Sequence, residues 1–389
     1  MTVHGLTITE SASGPRALGA VSLAVIGIVA TATTTGDAAA QAALDAAYPL
    51  NTPVLITGGV DIAAGKAGDG GTLGPTLRAI GDQASPVIVV VRVEEGADEA
   101  ETDANVIGAT DGTTFTGLQA LAVAEQRLGV KPQILAAPGL DSQAVIEELV
   151  SVAKKLRGFV YAAAFGVDVA GAITYRGNFA HRELMLIWPG TSATFGGDIV
   201  ARAIGLRAQI DETVGWHKTI SNVPLVGVTG LDRDISFDLT DPSTDAGVLN
   251  ASEVTTIIRQ TGFRLWGNRT CADPATMPEF VFESAVRTSH ALQEIVGQIV
   301  SPFIDQPITT GLIKDLLETG NARFRQLAVE GVIQGAEMFF DPDQNSAQEL
   351  AAGRPRFRIQ FTPVAPLENP NVDLVITDFY YTDFADQLV

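Results

Sequence analysis

The chain has 389 residues, 46% of them hydrophobic and only 18% charged, and its formal net charge is −20. That length is ample for two packed domains, and the acidic balance excludes a nucleic-acid backbone as partner, because phosphate contacts need clustered Lys and Arg. Mean hydropathy is +0.22, which describes a surface poorer in charge than a soluble monomer keeps and suited to burial against partners. The single cysteine, Cys271, excludes an intramolecular disulfide framework and fits a reducing compartment, and such a residue is more often a small buried hydrophobe than a nucleophile.

Along the chain, residues 3–10 alternate weakly, with Leu6 and Ile8 apolar and Thr7 and Thr9 polar, which suits a short extended arm. Gly14-Pro15 separates it from a Val- and Ile-rich run at 17–30, expected to be a buried strand. That run is too short to span a bilayer. It follows Glu10 and Arg16 rather than the net positive charge of an export signal. Nothing else approaches transmembrane length, so the chain is read as soluble, without membrane insertion. Strands are expected at 53–57, 86–93, 133–136, 159–164 and 184–188, and helices at 116–129 and 143–158, each with a glycine stop. The Gly-rich stretch 65–74 and the acidic stretch 94–103 read as loops. Helix–strand alternation of this kind predicts an α/β fold with parallel strands and helices on the sheet faces.

After Thr270 the pattern shifts to longer helices at 279–300 and 309–332, making the chain α+β overall. At about 100° per residue, Ile313, Leu316, Leu317, Gly320, Phe324, Leu327 and Gly331 share one helical face, while Lys314, Glu318 and Arg325 share another. Gly320-Asn321 is a possible break in that helix. Residues 356–361 alternate as a half-buried strand, Pro363, Pro366 and Pro370 punctuate a loop, and a last strand is expected from 372 to 380.

The motifs that would carry enzyme chemistry fail one by one. Gly65-Lys66-Ala67 lacks the hydroxyl residue and glycine spacing of a phosphate loop, and Gly68, Gly70 and Gly71 lack dinucleotide spacing. His4, His181, His217 and His290 lie far apart, with no helical metal pair among them. His181 beside Arg182 and Glu183 is a weak candidate base, with a surface or interface histidine the commoner reading. Gly190-Thr191-Ser192-Ala193-Thr194 misses the nucleophile elbow, which needs Gly two residues after Ser. No catalytic, cofactor or metal residues are assigned.

The C-terminal tail instead suggests pairing. Leu374, Val375, Ile376, Phe379, Tyr380, Tyr381 and Phe384 make an edge that would be an aggregation liability if left open. Such a strand pairs either within its own subunit or with a neighbour by strand addition.

The block Gly262-Phe263-Arg264-Leu265-Trp266-Gly267-Asn268-Arg269-Thr270 resembles a motif of contractile tail sheath proteins of tailed phages and R-type pyocins, in their short-sheath subfamily. The resemblance extends over the full length. It includes His4-Gly5-Leu6 with Glu10, Gly14 and Arg16, Val25 to Val29 with Thr31-Ala32, and Pro49 to Leu55. It continues through Gly129-Val130-Lys131-Pro132, Ala137-Pro138-Gly139, Gly215 to Asn222, Asn321 to Arg325, and Phe361 to Glu368. Residues 296–306 depart from it, being poorer in basic and aromatic residues.

The resemblance implies a non-enzymatic structural subunit that polymerises as a helical cylinder around a rigid tube and contracts to drive that tube through a target envelope. It implies an N-terminal arm (1–20), an outer α/β domain (21–265), an inner tube-facing domain (266–370) and a C-terminal strand or arm (371–389). Leu6, Ile8, Leu374, Ile376, Phe379 and Tyr381 are expected in inter-subunit arms, and Lys314, Arg323 and Arg325 toward the tube. Trp266, Gly267 and Arg269 are the motif residues. Expected partners are further copies of the chain, in hexameric rings by family resemblance, with a tail tube protein and baseplate and tail terminator proteins, and without cofactor or nucleic acid. The implied location is a virion tail or secreted contractile particle, assembled in the host bacterial cytoplasm. A soluble α/β enzyme and a static shell protein are the alternatives.

Overall fold

The computed structural model describes residues 22–381 and 384. Its elements run β1 (Ile26–Thr31), α1 (Ala38–Ala47), β2 (Pro53–Thr57), α2 (Val60–Ala64), α3 (Leu73–Gly81), β3 (Val87–Val93), α4 (Glu99–Ile107), α5 (Ala124–Leu128) and β4 (Ile134–Ala136). Then come α6 (Gln143–Leu156), β5 (Phe159–Ala163), α7 (Val169–Arg176), β6 (Leu184–Ile187), α8 (Asp198–Thr213), α9 (Asp245–Ala251), β7 (Val254–Arg259) and β8 (Phe263–Trp266). The last are α10 (Glu283–Val300), α11 (Thr310–Val329), β9 (Ile333–Phe340), α12 (Ala347–Ala351) and β10 (Phe357–Pro363).

An eight-stranded sheet, ordered β2-β3-β1-β4-β5-β6-β7-β8, takes the first two-thirds of the chain. The strands from β3 to β7 pair in parallel, as the alternation predicts, and helices cover both faces. Ile28, Val90, Tyr161 and Met185 turn toward one helical layer, while Val29, Val91, Val160 and Leu186 turn toward the other. Both edge pairs are antiparallel, β2 on β3 and β8 on β7. A hairpin connection suffices for β7–β8, where only Gln260, Thr261 and Gly262 intervene.

Several expectations need correction. The strand expected at 17–30 starts only at Ile26, and 17–21 lie outside the described residues, as do His4, Leu6 and Ile8. The acidic stretch is half helix: Asp98 caps α4 by accepting from Glu101 N at 2.8 Å, and acids in a first turn favour the helix dipole. The Gly-rich loop gives way to α3 at Leu73. The helix expected at 116–129 begins as a 3₁₀ segment, Gly117–Val123, before α5. Helix α6 ends at Leu156, two residues before Gly158, with Arg157 itself left-handed at φ 52°. Helix α8 escaped sequence reading because it is buried on nearly every side and so has no polar face to set a period.

The Gly-rich loop has a backbone role. Gly68 (φ +76°) and Gly71 (φ +81°) lie so close to β1 that a Cβ would stand 2.2 Å from Thr33 O and 2.5 Å from Thr31 O. The approach lets Gly70 N and Thr72 N donate to those same carbonyls at 3.1 and 3.0 Å.

The last third forms a smaller core. Leu292, Ile295 and Ile299 of α10 pack with Leu316, Phe324 and Leu327 of α11 and with Ile333 and Met338 of β9. Gly320 and Asn321 leave α11 unbroken and instead make its contact with β9. A Cβ on Gly320 would lie 3.1 Å from Met338 Sδ, so glycine brings the helix close to the strand. The Asn321 amide then donates to Met338 O at 2.9 Å and accepts from Met338 N at 2.7 Å. The strand expected at 372–380 is not formed among the described residues: 372–378 are exposed and outside any regular element, followed by one 3₁₀ turn at Phe379–Tyr381. A strand needs a partner's backbone groups, and no described strand supplies them.

Replacing Gly68 with Ala is expected to cost more than about 1 kcal/mol, since it combines a positive φ with a backbone clash. Gly297, exposed inside α10 with open space around it, is expected to gain roughly 0.8–1.0 kcal/mol as Ala. Urea unfolding of the two variants beside the parent chain measures both.

Candidate assembly interface

Helix α10 belongs to both cores, with Val286 under the large sheet and Leu292, Ile295 and Ile299 in the smaller core. Its first half is fixed by buried charge. Glu283 accepts from Arg207 Nη1 of α8 at 3.1 Å, from Ile220 N at 3.3 Å and from the Tyr161 hydroxyl of β5. Asp211 takes Arg207 Nη2 at 2.8 Å and also pairs with Arg287 of α10. Arg207 further donates to Lys218 O at 2.7 Å and Gly215 O at 3.3 Å. Burial alone would lower the Arg207 pKa, but Asp211 and Glu283 hold it above its ordinary value. Burial, reinforced by the Glu283 charge, drives the Tyr161 hydroxyl well up, so it stays a donor.

Further along α10, Glu294 takes Lys131 at 2.5 Å and Arg157 at 2.6 Å. Its burial works against ionisation, yet those cations bring its pKa below the ordinary value. The segment after α8 thus supplies the Gly215 and Lys218 carbonyls and the Ile220 N–H to the buried network.

The groups weighed for catalysis sit apart. His181 contacts Glu147 at 2.8 Å on the surface. Burial lowers His217, and burial with Arg182 nearby brings His290 down to about 3. Burial pushes the Cys271 thiol up to about 12, which keeps it protonated and unreactive. Thr191 donates to Asp198 at 2.7 Å and Ser192 caps its own turn. Asp141, raised to about 6 by burial, accepts from Ala163 N at 2.6 Å and ties the turn after β4 to β5. Among the described residues no group of His, Cys, Asp or Glu is placed to hold a metal, and no helix is long and apolar enough to cross a membrane.

The motif residues form the seat of the C-terminal segment. Trp266 ends β8 with its ring edge-on to Phe237 at 5.0 Å. Gly267 (φ +139°) passes where a Cβ would meet Thr255 Cα at 2.8 Å. Arg269 grips Glu368 with two bonds of 3.0 and 2.8 Å, its guanidinium over the Phe282 ring. Between the motif and Val364–Asn369 lies a cleft of about 630 Å³, walled by His217, Lys218 and Trp266. Beyond this clamp, Val372, Leu374, Val375 and Ile376 are 78, 95, 80 and 102% exposed. Phe379 and Tyr381 are also exposed.

On α11, Lys314 and Arg325 point to solvent, with Arg325 paired to Glu318 at 2.6 Å. Arg323 donates to Gln326 at 2.8 Å and lies on the other side of the helix from Lys314, by the step of about 100° per residue. Sequence reasoning missed the Arg207–Asp211–Glu283–Arg287 network, because its two i,i+4 pairs, Arg207 with Asp211 on α8 and Glu283 with Arg287 on α10, lie on helices far apart in the chain.

Two family models match: the phage tail sheath protein central domain over 113–271, and the tail sheath protein Gp18 domain III N-terminal region over 27–93. The tail sheath protein of Escherichia phage P2 is 44% identical, covering 97% of this chain and 96% of that relative. The major tail sheath protein of Serratia phage KSP20 is 39% identical with the same coverage. Among solved structures, the anti-feeding prophage helical sheath in its contracted state matches with a TM-score of 0.68 at 17% identity, covering 97% of this chain and 99% of that one. The sheath complex of an extracellular contractile injection system, PVC, also contracted, gives 0.68 at 16% identity, covering 98 and 99%.

Removing one member of a buried ion pair strands its partner, so Glu283→Ala or Asp211→Ala is expected to destabilise the fold by about 3–5 kcal/mol. Chemical denaturation monitored by tryptophan fluorescence measures the loss; a change under about 1 kcal/mol would mean the charges are already solvated.

Proposed function

The chain belongs to the phage tail sheath family and is a structural, non-enzymatic subunit of a contractile tail or related contractile particle; from that premise we propose how it assembles. Copies polymerise as a helical cylinder, in hexameric rings, around a tail tube protein, between a baseplate and a tail terminator. Assembly takes place in the host bacterial cytoplasm, and the particle acts as a virion tail or a secreted contractile device. The body that holds the large sheet (21–265) faces outward and the smaller core (266–370) faces the tube, with α10 joining them. Lys314 and Arg325 meet the tube, while Arg323, on the other side of the helix, does not share their face. The N-terminal arm, with Leu6 and Ile8, and the C-terminal arm, with Leu374, Ile376, Phe379 and Tyr381, cross to adjacent copies and extend their sheets. Extended and contracted sheaths are two packings of one subunit separated by a barrier, so the work of contraction is stored when the lattice is built.

One observation supports this reading above the others. The apolar run Val372 to Ile376 is 78–102% exposed at Val372, Leu374, Val375 and Ile376. No described residue hydrogen-bonds to those four. Residues 372–384 span about 40 Å when extended, enough to reach a neighbouring copy. The β9–β10 pair is a two-stranded sheet, a form that gains stability from further strands.

The test is negative-stain electron microscopy of the full chain beside one ending at Thr377. Hollow striated tubes are expected from the full chain and not from the shorter one; tubes from both would remove the C-terminal arm from the account. For the tube contact, Lys314→Glu with Arg325→Glu is expected to leave the monomer folded and weaken decoration of isolated tail tubes. Undiminished decoration would reject that placement.

A further inference from the structure

The eight-stranded sheet has two outer edges, and the subunit treats them differently. Along β8, Asn222 N donates to Leu265 O at 2.7 Å and Leu225 N to Phe263 O at 2.8 Å, with Pro224 bridged to Arg264, so residues 222–225 cover that edge. At the other end, among the described residues, no bond outside the pairing with β3 reaches the backbone of β2. Alternate residues of a ladder turn their N–H and C=O groups away from the partner, so β2 presents open groups on its outer side. Pro53-Val54-Leu55-Ile56-Thr57 has no charged side chain to blunt that edge.

A groove accompanies the open edge. Gly58 (φ +80°) and Gly59 (φ +63°) turn the chain from β2 into α2. Between strand and helix lies a groove of about 310 Å³, walled by Tyr48, Leu55, Ile56, Ile62, Ala63 and Lys66. Ile62 is 71% exposed. Lys66 is exposed and pairs with no carboxylate among the described residues. An edge strand with a helix beside it takes an extended segment as an added strand, with alternate side chains in the groove.

The length and entry point of the chain outside the described residues name the occupant. Ile26 of β1 stands opposite Ile88 of β3, and Ile88 stands opposite Ile56 of β2. Ile26 and Ile56 therefore share one row of the sheet, about 10 Å apart across two strand spacings. Residues 11–21 span up to about 36 Å when extended, enough to bring residues 3–10 to either end of β2. By alternation His4, Leu6, Ile8 and Glu10 fall on one side of that segment. Leu6 and Ile8 match the apolar wall of the groove, and Glu10 supplies a carboxylate for Lys66. We propose that before assembly residues 3–10 dock as an added strand on the β2 edge of their own subunit, and that the growing lattice draws the arm out. This rests on the reading that the N-terminal arm links copies. An arm held in this way closes the open edge of the free subunit and keeps copies from linking away from the tube.

Disulfide trapping in the dilute, unassembled chain tests the assignment. Ile62→Cys on the rim of the groove is combined in turn with His4→Cys, Leu6→Cys and Ile8→Cys, which cover the registers within disulfide reach. Cys271 is buried and does not compete. Val329→Cys, on a residue 89% exposed on α11, replaces Ile62→Cys in the control series. A disulfide within single chains is expected from the position-62 series and not from the control. Equal linkage in the two series, or none in either, would overturn the docking. Links that form only between copies in assembled particles would overturn the subunit's own arm as occupant. The trapped chain is then offered tube and baseplate: it is expected to stay out of the sheath until reductant is added, and assembly with the disulfide intact would overturn the holding role. A chain lacking residues 2–12 tests the underlying reading separately. Its failure to form sheath supports the arm as a link, whereas normal sheath from it would overturn that reading, whatever the trapping shows.

Discussion

The subunit depends on one constraint: α10 is shared by two hydrophobic cores, and its first half is fixed to the larger one by charge. Val286 and Leu292, less than two turns apart, belong to different clusters. A junction made only of apolar contacts would tolerate sliding, because such contacts have no direction. Glu283, Arg207, Asp211 and Arg287 remove that freedom, since a shift of α10 would part Glu283 and Arg287 from Arg207 and Asp211 of α8 and leave buried charges unpaired. Glu294, held by Lys131 and Arg157, adds a second tie near the other end of the helix. Both halves of α10 are thus tied to the larger core's elements while the helix also packs in the smaller one.

A subunit tied together in this way gives particular value to the exposed segment 372–378, which pairs with no described strand. The large sheet, the shared helix and the hairpin are packed into the body, while Val372, Leu374, Val375 and Ile376 expose their apolar side chains. The Arg269–Glu368 clamp and Pro366 and Pro370 fix where that segment leaves the body. In a contractile lattice, connection and reorientation must coexist. A rigid body with a linking arm meets both demands, because deformation is confined to a few extended residues.

Much of the parallel sheet was legible in the sequence, since continuous apolar runs such as Val87–Val93 and glycine stops such as Gly129 are local signals. The antiparallel edges were not, because nothing in the composition of β2 tells which way it runs beside β3. Helix α8 carries no amphipathic period and was invisible for that reason. Gly320-Asn321 looked like a helix break because local propensity says so; the strand it contacts is brought there by the fold. The buried network was illegible because its members come from separate elements. Family blocks pointed to Trp266, Arg269 and Glu368, and the structure supplies their contacts within the chain.

Hydrogen–deuterium exchange on the dilute chain and on the assembled particle tests the central claim most directly. The account predicts that amides of 372–378 exchange fast in the dilute chain and become protected on assembly, while those of β5, α8 and the first half of α10 are equally protected in both states. An arm already protected in the dilute chain, or an α10 that gains protection only on assembly, would contradict the picture of a rigid body joined to its neighbours by its tail.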